Sequence, residues 1–523
     1  GFVRMIRNND GSGTPDGEEV WAFMPRELLP ILGDLRGDPI GGVHPYGVDG
    51  AISIYTEGNE IDGTISGSDK AIAYFGLRRG GYSYYALDIS DPNSPKILWK
   101  ISKTSGGNFD ELGQTWSRPR IRQMAWQDTN SDNVIDIQDS QTVVIFGGGY
   151  DKTKDNYENL LDASLTGVGD INENNKYVDN EGNALFIVDA LDGSLIWKAT
   201  KCSAANCTGN LNATEYNHEE LRDSIPSDVT PVDSDSDGLV DLVYIADTGG
   251  VIWRADLPLG APASWTITPI FSAGRHAVDI NGVSLGLPDR RFFHRPDVVA
   301  AENSAGAKYY ATLIGSGNRP FPRQEHEKDA NGNPQYDQFY AVKDFNTTIG
   351  SPPAKVLTPA DLADVTSETA ESLDTGCKGG SSAQCTAQTA LQSKGWYFSL
   401  INDDGEKLLA SSVTFFGKTF FSTYVPSGGS STGQCVPPEG SAYTYVVSLE
   451  DGAPVYNFGP VGGTIAQGRS ILTGSGIPGD PVVISIGGPI FISPGNLPNI
   501  KEFRQQISKN PLRKTYWYES TEE

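Results

Sequence analysis

Four times this chain places a branched aliphatic residue directly before a tryptophan and then alternates polar with apolar: EEVWAF at 18–23, KILWKI at 96–101, SLIWKA at 194–199 and GVIWRA at 250–255. Acid-bearing turns precede three of these runs: DGSGTPDG at 10–17, DISDPNSP at 88–95 and DALDGS at 189–194. The last two turns follow strand-like runs of their own, YSYYALD and ALFIVD. Period-2 alternation broken by Asp-Gly turns is a hairpin pattern. Weaker copies at 337–346, 396–410 and 443–459 bring the total to about seven strand–turn–strand units. An aromatic at a fixed place in each hairpin is the means by which propeller blades key into one another. The expectation is therefore an all-β chain, a modified seven-bladed β-propeller over 1–505 with a tail at 506–523; a pair of β-sandwiches is the competing arrangement. The units lie roughly 50 to 100 residues apart, wider than the ~40–45 of a lean blade. The excess falls in loops at 151–183, 201–230, 318–336, 346–394 and 426–440. Helix-like stretches are short: PRELLPIL at 25–32, expected to stop at Gly33, and the capped run at 358–373.

Composition agrees. The 523 residues include 60 Gly and 32 Pro, with 10% aromatics, which suits many strands and turns. A net charge of −26 opposes nucleic acid and anionic membrane and favours cations. No apolar run approaches the ~20 residues needed to span a bilayer. The chain opens GFVRMIRNND, with neither an initiator Met nor a signal peptide, and reads as a fragment of a longer protein.

The stretch VDSDSDGLVDL at 232–242 concentrates charge. At ~5 Å and an effective dielectric of ~20, each carboxylate pair repels by roughly 3 kcal/mol, so a cation belongs among them. Counted from Asp233, acids occupy positions 1, 3, 5 and 9 (Asp233, Asp235, Asp237, Asp241). Gly238 stands at 6, and Leu239 at 7 offers its carbonyl. Position 12 is Tyr244 within a strand, so this is a calcium loop inside a β-hairpin, closed by Asp241. Hard oxygen donors on a flexible turn suit Ca²⁺ better than Mg²⁺. A second loop, DTNSDNVIDIQD at 128–139, sets Asp128, Asn130 and Asp132 at 1, 3 and 5, with Val134 at 7, Asp136 at 9 and Asp139 at 12. Asn133 replaces the usual Gly at 6, a place where Asn tolerates a left-handed backbone. DANGNPQYD at 329–337 has similar spacing but a Pro at 6.

Of five cysteines, Cys202 with Cys207 and Cys377 with Cys385 are spaced for two local disulfides, and Cys435 is left over. That usage fits an oxidising compartment. Enzyme motifs are weak. GSGIPG at 474–479 leads into a strand where a nucleotide site needs a helix N-terminus. GSSTG around Ser431 lacks the strand of a nucleophile elbow. The five histidines show no metal spacing, and RGD at 36–38 is a short match.

The runs HPYGVDGA (44–51), QTWSRPRI (114–121), DGLVDLVYIADTGGVIWRADL (237–257), GSGNRPFP (315–322) and DQFYAVKD (337–344) resemble the C-terminal domain of the PilC/PilY family of type IV pilus tip-associated proteins. The resemblance spans roughly residues 1 to 500. It implies a propeller related to quinoprotein dehydrogenases, with the family's calcium loop falling on Asp233, Asp235, Asp237, Leu239 and Asp241. The loop at 128–139 has no family counterpart that can be placed. The dehydrogenases need adjacent cysteines against the quinone, and no two cysteines are adjacent here. A quinoprotein-like oxidoreductase is thus the alternative, and no catalytic residues are expected. The expected function is a calcium-responsive factor in pilus biogenesis and adhesion, exported through the periplasm to the cell surface, pilus tip or outer membrane. The expected partners are minor pilins and secretion machinery, with a host-cell surface protein or glycan a further candidate.

Overall fold

The computed structural model describes residues 1–502 except 9–11, 38–44, 59–64, 66, 156–178, 203–206, 275–286, 304, 325, 327–331, 368, 427–438, 457, 459–467, 486–489 and 495–500. Among the described residues the regular secondary structure is mostly strand, as expected, and the chain's contacts divide it into two units.

The first unit comprises Gly1–Asp241 and Leu257–Ile267. It holds the hairpin Val3–Ile6/Glu19–Phe23 and an antiparallel sheet of Ile52–Glu57, Lys70–Gly76, Ser83–Asp88 and Lys96–Ser102 in chain order. A six-stranded sheet follows, ordered Gly209–Asn212, Glu215–His218, Leu195–Lys201, Ala184–Asp189, Gln141–Gly147 and Arg120–Met124. The predicted hairpins across 88–95 and 189–194 are both present. Period-2 alternation decides the packing. Tyr74, Tyr84, Ala86, Trp99 and Ile101 share a core with Val144, Phe146, Phe186 and Val188 of the six-stranded sheet. Their neighbours Ala73, Phe75, Tyr85 and Leu87 face the other way, onto Val3, Leu28, Trp21 and Phe23.

Two of the four repeated tryptophans, Trp21 and Trp99, reach a turn carbonyl, whereas Trp253 donates to Asp247 of its own hairpin. Trp99 donates its indole N–H to the Ala190 carbonyl at 2.8 Å, which also accepts from the Tyr74 hydroxyl. Gly193, in the same DALDGS turn at φ +74°, lies under the indole; a Cβ there would come within 2.9 Å of Trp99 Cγ. The Asp-Gly turn is thus required by the ring above it as well as by the backbone. Trp21 bonds the Pro92 carbonyl of the 88–95 turn in the same manner. Truncating Trp99 to Ala would cost roughly 3–5 kcal/mol.

The second unit comprises Leu242–Asp256 and the chain from Thr268 onward. It contains the hairpin Leu242–Ala246/Val251–Asp256 and a sheet of Asp297–Glu302, Lys308–Gly315, Gln338–Asp344, Gly395–Ser399 and Ala363–Asp364. A further sheet joins Lys407–Leu408, Lys418–Val425, Ser441–Ser448 and Ser470–Ser475, with Val413–Phe415 also paired to Lys418–Val425. Three short strands end it: Pro481–Ser485, Ile490–Pro494 and Lys501–Glu502. Its core is an aromatic pile in which Phe339 stacks on Phe421 at 4.0 Å and Phe421 on Tyr445 at 4.7 Å. The tryptophan key recurs: Trp396 donates to the Leu449 carbonyl, and Gly452 lies under its ring.

Helices differ from expectation. PRELLPIL yields a 3₁₀ turn, Arg26–Leu28, and then the helix Ile31–Gly37, which passes through Gly33 rather than stopping there. The 358–373 run is not one helix. Thr358 caps a 3₁₀ turn, Pro359–Asp361, that gives way to the short strand Ala363–Asp364. A helical hairpin, Ala370–Lys378 and Ser382–Ser393, then follows. Its two helices are joined by Cys377–Cys385; Cys202–Cys207 is bonded as well. Cys435 and Ser431 lie outside the described residues.

Candidate metal centre

Both aspartate-rich loops lie in the first unit, and each follows a strand: Thr230–Val232 before one, Arg120–Met124 before the other. In the loop from Asp233, the first carboxylate accepts from the amides of Ser236 (2.6 Å) and Gly238 (2.9 Å). Asp235 accepts from the Asp237 amide, and Asp237 from the Leu239 amide. This succession of side-chain-to-backbone turns winds the chain around its own carboxylates. It requires left-handed backbone at Ser236 (φ 69°) and Gly238 (φ 92°). The Asp241 carboxylate closes the loop by accepting the amide and hydroxyl of Ser234, each at 2.7 Å.

The outcome is a cluster in which one oxygen from each of Asp233, Asp235 and Asp237 lies within 4.8 Å of the others. Among the described residues, none of the four aspartates forms a salt bridge. Burial raises the Asp237 carboxyl above its ordinary value, with Asp235 and Asp233 adding to the shift. Asp241, only 2% exposed, is pushed up to about 6 by burial, with Asp235 and Asp237 again contributing. An all-oxygen donor set in which burial disfavours the charged forms of Asp237 and Asp241 fits a hard divalent cation. Leu239 is buried at the seventh position.

The loop from Asp128 follows the same wiring. Asp128 accepts from the amides of Ser131 (2.6 Å) and Asn133 (2.9 Å). Asn130 accepts from the Asp132 amide, and Asp132 from the Val134 amide. Ser131 and Asn133 are both left-handed at φ 66°. The buried Asp139 closes this loop, accepting the amide and hydroxyl of Thr129 at 2.7 and 2.8 Å. Position 12 here does what position 9 does in the other loop. Asp136 caps the 3₁₀ turn Ile137–Asp139 through the Gln138 amide. The loops are neighbours: the Val240 amide donates to the Gln123 carbonyl, and Ile137 Cδ1 lies 3.5 Å from where a Gly238 Cβ would stand.

Sequence reasoning missed Thr129 and Ser234, whose hydroxyls and amides hold the closing carboxylates; a hydroxyl residue at position 2 of both loops was the available signal. The other motifs do not build sites. Asp337 of the 329–337 stretch accepts from the Ser316 hydroxyl. GSGIPG leaves the strand Ser470–Ser475 for extended chain and the strand Pro481–Ser485, with no helix behind it. Arg36 and Gly37 end an exposed helix, and Asp38 lies outside the described residues.

No protein-family model matches the chain. A type IV pilus biogenesis factor PilY1 homolog from Xylella fastidiosa is 25% identical over 518 residues, which is 94% of this chain and 29% of that protein. PilY1 of Pseudomonas aeruginosa is 24% identical over 257 residues, 48% of this chain and 17% of its own length. The crystal structure of the Pseudomonas aeruginosa PilY1 C-terminal domain shares the fold, with a TM-score of 0.56 at 17% identity, covering 94% of this chain and 90% of that one. The chain spans less than a third of the length of these curated relatives. Among the described residues, no helix is long and apolar enough to cross a membrane.

Proposed function

From a chain that belongs, by sequence and by fold, with the C-terminal domains of PilY1, we propose a calcium-binding type IV pilus biogenesis factor that acts at the cell surface rather than as a catalyst. Its sheets are the blades of a modified seven-bladed propeller, a reading supported by the tryptophan-to-turn bonds of Trp21, Trp99 and Trp396. Its ligands for Ca²⁺ are Asp233, Asp235, Asp237, the Leu239 carbonyl and Asp241. A second, weaker site uses Asp128, Asn130, Asp132, the Val134 carbonyl, Asp136 and Asp139. The observation that carries the reading is the triad of carboxylate oxygens within 4.8 Å of one another, in a relative of a pilus factor.

Calcium supplies charge neutralisation and fixes the turn. The protein's own residues set how much that matters. Asp233 and Asp237 hold backbone amides, and Asp241 ties the start of the loop to its end through Ser234. An unfilled loop whose carboxylates repel loosens, and a surface ordered in one state and loose in the other binds a partner differentially. That partner is the pilus machinery or minor pilins, with occupancy favouring extended over retracted pili and hence twitching and attachment. The test is Asp237→Ala in the full-length gene. Fewer surface pili, with altered twitching and attachment at wild-type protein level, is the expected result; normal values for all three refute the switch.

A further inference from the structure

Five non-glycine residues among those described have left-handed backbone. Ser131, Asn133 and Ser236 belong to the aspartate loops, and Phe416 to the tight turn between Val413–Phe415 and Lys418–Val425. The fifth is Arg78, at φ 51°, in the turn between Lys70–Gly76 and Ser83–Asp88. A long side chain there carries backbone strain that a glycine would avoid.

The strained turn delivers a guanidinium. Arg78 Cζ stands 4.6 Å from the centre of the Trp116 ring, and Arg79 Cζ stands 5.2 Å from the same ring and 5.8 Å from Tyr46. Stacking of this kind contributes about as much as the strain removes, so stability alone does not account for an arginine at 78. The two guanidiniums also differ. Arg79 is engaged with Asp155 at 2.8 Å, and that carboxylate is also held by the Tyr150 hydroxyl. Arg78 has its nearest charged partner among the described residues, Asp49, at 3.8 Å, beyond hydrogen-bonding reach, and its side chain is 30% exposed.

We propose that Arg78, positioned over Trp116 beside Arg79, is the recognition element of a docking site for a carboxylate of a partner polypeptide. A guanidinium fixed over a ring keeps its N–H edge for bidentate bonding to a carboxylate. Several features narrow the occupant. The net charge of −26 opposes polyanions such as nucleic acid or a phospholipid surface, whereas a single carboxylate needs only the local pair of arginines. Two guanidiniums and the Tyr150 ring, 5.0 Å away, already crowd Trp116, which disfavours stacking of a sugar ring. The inference does not depend on calcium.

The left-handed backbone makes the test clean, because Arg78→Gly removes the guanidinium while easing the turn. A phage-displayed library of random peptides is panned on the wild-type protein and counter-selected on Arg78→Gly. The expected result is enrichment of Asp- or Glu-bearing peptides that bind Arg78→Gly about tenfold more weakly. Arg78→Lys should fall between, and Arg78→Gly should melt no lower than wild type. Peptides without carboxylate preference, equal affinity for both proteins, or no enrichment at all would overturn the proposal. Binding of polygalacturonate that needs Arg78, with no peptide preference, would overturn the polypeptide assignment in favour of an acidic glycan.

Discussion

The loops at 128–139 and 233–241 are the same piece of backbone with opposite attitudes to charge. Both start with an aspartate that takes two amides, both pass through two left-handed residues, and both end on a buried carboxylate held by a hydroxyl residue at position 2. Yet hydrogen bonds from Thr129 hold Asp139 below its ordinary value, whereas burial pushes Asp241 up to about 6. Asn130 stands where Asp235 stands. Val134 is 56% exposed where Leu239 is 1% exposed. On the proposed calcium reading, what separates the two loops is the third carboxylate, Asp235, and the burial of Leu239 at position 7.

The largest effect that would break this comparison is on melting temperature. Calcium at a hundred times its dissociation constant should stabilise the fold by about 2.7 kcal/mol, and Asp237→Ala should abolish the rise in a thermal melt. An unchanged rise in Asp237→Ala would show that the cation sits elsewhere.

Proton linkage comes next, and its sign differs between the loops. The folded chain binds a proton at Asp241 more tightly than the unfolded chain does. Calcium-free protein should therefore gain stability as pH falls from about 6 to about 4, by up to about 3 kcal/mol. Asp241→Asn should flatten that slope in chelator. With calcium present, the stabilisation should shrink over the same range, because protons compete for the ligands. Asp139 carries the reverse sign: its contribution is present above the ordinary carboxylate value and lost as pH falls through its lowered one. Melts of Asp139→Asn across pH 2 to 7 would check it.

A smaller effect concerns the weaker loop. Asp132→Ala should remove one calcium from the stoichiometry with little change in melting. Asn130→Asp with Asn133→Gly should bring the affinity of this loop toward that of its neighbour, by about tenfold. The smallest is the contact between them: Ile137→Ala should shift calcium affinity at 233–241 by no more than about threefold, read by titration.

Much of this was legible in the sequence, for reasons that can be named. Alternation and Asp-Gly turns fixed the hairpins, because a strand with both faces buried and a glycine under a tryptophan leave few alternatives. The loop spacing was legible because carboxylates at 1, 3 and 5 turn the chain around themselves. Asp241 was legible as the carboxylate that closes its loop, but the closing carboxylate of the 128–139 loop was not. Asp136 and Asp139 are both acids, and only the 3₁₀ turn that Asp136 caps swings Asp139 inward. The helix Ser382–Ser393 was missed because SAQCTAQTALQS has little apolar period; only Leu391 in it is buried. The turn at Arg78 hid behind Gly80 and Gly81, which draw any expectation of left-handed backbone to themselves.

The most direct test of the central claim is a calorimetric calcium titration of this chain beside Asp237→Ala. Two sites are expected in the wild type, with a dissociation constant between ~10⁻⁶ and ~10⁻³ M for the tighter, and loss of that tighter site alone in the variant. Identical isotherms for the two proteins would contradict it.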